Sequence, residues 1–80
     1  MAVNYYVVVY FDRDADGDLK PAEAREATSA WAAERAAKFL ATEHAGAVAF
    51  SRTGDPTTGE FQDAVVLAQF GDVDIDALSE

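Results

Sequence analysis

The sequence predicts a small α+β domain, a two-layer β-α-β-β unit in which one long helix packs on a mixed three-stranded sheet. Three observations carry that expectation. The chain begins with a β-branched and aromatic run, continues through a long alanine-rich stretch with strong helix propensity, and ends with two further strand-like runs joined by a turn-rich segment. Its 80 residues make one domain, 1–80, with a thin core to which a second subunit, a metal or a partner would add stability.

The first strand is expected over Val3 to Phe11 (VNYYVVVYF). Alternation places Val3, Tyr5, Val7, Val9 and Phe11 on one side and Tyr6, Val8 and Tyr10 on the other, so both sides call for burial. One helix covers one face of a sheet, and a homodimer joined through the open face follows. The competing reading is that tyrosines, with their polar tips, tolerate a half-wet face.

Pro21 to about His44 predicts one helix of about six turns, with Pro21 at its first position and Gly46 as its stop signal. At 100° per residue, Ala32, Ala33, Ala36, Phe39 and Leu40 share the flank that faces the sheet, while Glu34, Arg35 and Lys38 occupy the other. Trp31 falls toward the charged flank. It either folds over the sheet edge or projects as a contact for a partner.

Two more strands are expected at Ala47 to Thr53 and Glu60 to Phe70, joined by the turn-forming segment Gly54 to Gly59. A crossover through the helix places the first two strands parallel. The last either adds antiparallel at an edge or slips between them as in half of a ferredoxin-like fold; insertion, giving the order 1-3-2, is favoured because Ala64 to Ala68 (AVVLA) is apolar on both faces. A final helical turn is expected over Asp74 to Leu78.

Between the first strand and the expected helix lies the most specific feature of the chain. Residues Asp12 to Glu23 (DRDADGDLKPAE) match the calcium-loop pattern D-x-[DN]-x-[DN]-G-x5-E. Carboxylates at alternate positions of a tight turn converge on one point, and a glycine permits the bend. The segment resembles an EF-hand loop. That resemblance implies Asp12, Asp14 and Asp16 as side-chain ligands, the backbone carbonyl of Asp18 as another, and Glu23 as a bidentate carboxylate closing the cage. It also implies calcium as the ion, an all-protein oxygen cage suiting calcium better than magnesium. Here the context reads as strand-loop-helix, and Leu19 stands where such loops carry an anchoring aliphatic residue. A metal-free reading stands beside it: aspartates ahead of a helix cap its N–H groups and complement its dipole.

Six basic against fifteen acidic residues give a formal charge of −9, which repels phosphate backbones and anionic lipid and argues against nucleic acid and membranes as partners. The opening run is too short to span a bilayer and has no basic residue before it, which fits a cytoplasmic protein. Without cysteine, thiol catalysis and Cys-based zinc sites are excluded. The single histidine, His44, suits the negative end of a helix and has no revealing partner in spacing, so no enzyme is expected. The leading functional expectation is a small acidic calcium-binding module whose ion is structural or modulatory. The alternative is a metal-independent dimeric interaction module, and a small-molecule enzyme is a distant third.

Overall fold

The computed structural model describes residues 2–74. In chain order its elements are β1 (Val3–Arg13), β2 (Leu19–Ala27), α1 (Ala30–Glu43), β3 (Gly46–Asp55), β4 (Glu60–Phe61) and β5 (Val65–Gly71). β1 turns back on itself as a hairpin with β2, and its other edge pairs with β3. The outer edge of β3 then carries β5 along Gly46 to Ser51 and β4 at Gly54 and Asp55. Every pairing is antiparallel.

This corrects the expected fold class. The protein is mostly sheet, a curled antiparallel five-stranded one, rather than a long helix on a three-stranded mixed sheet. Residues 21–27 of the expected helix belong to strand β2, and α1 has only 14 residues. Alanine and glutamate favour helix by only a few tenths of a kcal/mol per residue, whereas β1 offers an unpaired hydrogen-bonding edge a few residues upstream. Pro21, read as a helix start, instead sits in an edge strand, the part of a sheet that tolerates a missing N–H. The helix begins where the better cap lies: Ser29 Oγ accepts the Ala32 N–H at 3.1 Å.

The inserted strand also overturns the 1-3-2 order. The α1 crossover connects β2 to β3, which run parallel to each other with β1 between them, so β1 and β3 pair directly and antiparallel. The expected third strand divides into β4 and β5, both on the outer edge of β3, with Val65 and Val66 well exposed rather than central. From residue 75 onward, the helical turn expected over Asp74 to Leu78 lies outside the described residues.

Two clusters form the core, one on each face of the sheet. Under α1, Ala33, Ala37 and Leu40 pack on Val8, Ala47 and Ala49, with Tyr6, Tyr10 and Leu67 at the margin. Small side chains on both surfaces let helix and sheet approach closely. On the opposite face Val9, Phe11 and Val48 are buried among Leu19, Phe50 and Val73. The two-sided alternation read from β1 therefore holds, and part of its second face is covered by the chain itself. At Gly46 a Cβ would collide with the Asp72 backbone, so the glycine admits the chain that leaves β5. No helix among the described residues is long and apolar enough to cross a membrane.

Candidate functional site

The acidic segment is the turn of the β1–β2 hairpin, so its setting is strand-turn-strand rather than strand-loop-helix. Its shape follows from local hydrogen bonds. Asp14 Oδ1 accepts the backbone N–H groups of Asp16 at 2.9 Å and Asp18 at 3.0 Å. The Asp14 N–H donates to the Asp18 carbonyl at 3.0 Å, and Gly17 takes φ +84°, a value that disfavours any side chain. The hydrogen bond from Asp18, assisted by that from Asp16 and by the Lys20 ammonium, holds the Asp14 carboxyl below the usual aspartate range.

The expected ligands are placed as follows. Asp14, Asp16 and Asp18, all exposed, bring one carboxylate oxygen each within 4.8 Å of one another. Asp12 and Glu23 are not in that group. Asp12 Oδ1 lies 2.8 Å from His44 Nδ1, and the His44 ring stacks on Tyr10 with centroids 4.0 Å apart. Glu23 stands opposite Tyr10 in the ladder, where its carboxylate accepts the Tyr10 hydroxyl and the Arg25 Nε–H, each at 3.3 Å. The Asp18 carbonyl, expected as a backbone ligand, accepts the Asp14 N–H. Cations already border the turn: Lys20 Nζ is 3.8 Å from Asp14, while Arg13 donates to the Gly17 carbonyl and pairs with Asp72 at 2.8 Å.

A second site lies on α1. Trp31 and Phe39 are 66% and 61% exposed, and Arg35 sits between them with its guanidinium 4.6 Å from the Trp31 ring centroid. Residues 31, 35 and 39 are spaced i, i+4, i+8 and so form one stripe, flanked by exposed Lys38 and Thr42. Trp31 therefore projects rather than folding over the sheet edge. Phe39, expected on the buried flank, faces outward, because the buried row is Ala33, Ala37 and Leu40. That i, i+4, i+7 row was present in the sequence and is the signal by which the stripe could have been found.

The sheet face away from α1 carries a shallow concavity of about 450 Å³, walled by Tyr5, Val7, Phe50 and Phe61 with Arg52 and Glu26 at its margin. Arg52 is committed within it: its guanidinium lies over Phe61 at 5.2 Å and its Nε–H donates to the Gln62 carbonyl. Comparison with known protein families, curated proteins and solved structures gave no match.

Proposed function

We propose that this chain is a non-enzymatic contact module that binds an acidic protein segment through the Trp31–Arg35–Phe39 stripe of α1. The observation that carries the reading is the outward placement of two large aromatic rings on one helix face, with the Arg35 guanidinium over the Trp31 ring. Burying a large apolar side chain contributes roughly 1.5–3 kcal/mol, and tryptophan and arginine are the residue types that most often anchor interfaces. The charge of the stripe selects the partner. In a chain of net charge −9, Arg35 and Lys38 set two cations beside the Trp31 and Phe39 rings, with Glu34 and Glu43 at the border of the stripe, and those cations favour carboxylates set beside apolar side chains. A labelled amphipathic peptide rich in glutamate and leucine tests this by fluorescence anisotropy. Saturable binding that is lost in Trp31→Ala and in Arg35→Glu, with the circular dichroism spectrum unchanged, is expected. Equal binding of a lysine-rich counterpart contradicts the reading.

The convergence of Asp14, Asp16 and Asp18 supports a second reading, a weak divalent-cation site at the hairpin turn with calcium as the ion. In that reading Asp12 and Glu23 join the ion only by leaving His44 and Tyr10. Glu23→Gln discriminates: a five-ligand loop loses calcium affinity, whereas a three-aspartate turn does not change. A calcium titration of the chelator-treated protein, followed at the Gly17 amide with magnesium as control, reads both.

A further inference from the structure

The exposed edge of the sheet carries an inference separate from the α1 stripe. β2 is the end strand of the sheet, and among the described residues nothing pairs with its outer edge. Both its faces are open as well, since α1 lies over β1, β3 and β5 and barely reaches β2, leaving seven of its nine residues exposed. A strand paired on one side and covered on neither face is an opening for strand addition.

Edge strands are commonly protected by proline, by charge and by bulges, and β2 has all three. Pro21 and the bulge at Ala22, the β2 residue skipped between the Tyr10–Glu23 and Phe11–Pro21 pairs, lie toward the hairpin turn and leave Glu23 to Ala27 regular and without proline. The charges on that remainder alternate in a way that suits a second copy. If two β2 strands run antiparallel about a two-fold axis at Ala24, Glu23 stands opposite Arg25 of the other copy, and Arg25 opposite its Glu23. Glu26 meets Ala22, and no like charges are directly opposed. Shifting the register so that the axis falls at Glu23 or at Arg25 places identical charges opposite each other. Opposite charges across a strand pair are favourable and like charges are not, so the sequence of this edge selects one self-pairing.

We infer that this chain forms a homodimer by antiparallel pairing of β2 with β2 of a second copy, registered by reciprocal Glu23–Arg25 pairs about Ala24. The two sheets become one continuous sheet, with both helices on the same face. Within one chain Glu23 and Arg25 already sit side by side, 3.3 Å apart and half exposed, so the interface assembles a four-charge cluster without burying an unpaired charge.

Sedimentation of the full chain over a concentration series, at low salt, tests the inference with charge reversals. The wild type is expected to dimerise. Glu23→Arg alone sets arginine against arginine, and Arg25→Glu alone sets glutamate against glutamate, each weakening the dimer about tenfold. Mixing the two single variants restores both opposite-charge pairs between unlike chains, so a heterodimer forms where neither variant pairs with itself. Repair of contacts within one chain cannot produce that result. Hydrogen exchange on the wild type gives an independent readout, with amides within Glu23 to Glu26 gaining protection as concentration rises. A wild type that stays monomeric at millimolar concentration, single variants that dimerise as tightly as wild type, or a mixture without heterodimer overturns the inference. Trp31→Ala leaves this dimer intact, which separates it from the α1 reading.

Discussion

Asp14 organises the hairpin turn through its charge as much as through its position. Its carboxylate accepts two backbone N–H groups, and those hydrogen bonds lower its pKa, so its ionised form favours the folded turn. The stabilisation is present above the ordinary aspartate value of 3.8 and is lost as pH falls through the lower folded value. Thermal melts of wild type and Asp14→Ala are therefore expected to differ near neutrality and to converge in acid; a difference that persists at the lowest pH contradicts this role. Trp31 tests a different property. Trp31→Ala is expected to weaken binding of the acidic peptide by about 2 kcal/mol, roughly thirtyfold, while leaving the melting temperature nearly unchanged, because the ring is two-thirds exposed. The turn aspartates were legible in the sequence because local spacing governs them. The pairing of Asp12 with His44 was not, since it joins residues 32 apart that only the fold brings together.

At the scale of elements, the start of α1 is set by one side chain. Ser29→Ala removes the acceptor for the Ala32 N–H and is expected to cost about 1 kcal/mol, measurable by urea denaturation; no change would show that another group caps the helix. The segment just before that serine is where expectation and structure differ most. Pro21 to Ala27 has helix-compatible composition, and nothing local distinguishes a helix there from a hairpin strand, because the competing partner is the edge of β1. β1, its two faces and β3 were readable from alternation and β-branched residues. β5 was readable as a strand but misplaced: apolarity on both faces suggested a central position, and instead Val65 and Val66 remain exposed at the outer edge of β3.

For the whole molecule, stability rests on few large side chains. Among the described residues, Val8, Phe11 and Val48 are the largest that are fully buried, and the remainder of the core is mostly alanine, valine and Leu40. A domain of 80 residues has roughly 4–12 kcal/mol of stability, and Phe11→Ala typically costs 3–5 kcal/mol at such a site, so this variant is expected to be partly unfolded at 37 °C by circular dichroism. Function, by contrast, is assigned to surfaces that add little to that core: the outer face of α1, the edge of β2 and the acidic turn. Amide-resolved NMR during titration with the acidic amphipathic peptide tests the contact reading most directly, because it reports all three surfaces at once. Saturable shifts centred on Trp31, Arg35, Lys38 and Phe39 are the predicted result. Shifts confined to the Asp14–Asp18 turn or the β2 edge, or none at millimolar peptide, would contradict it.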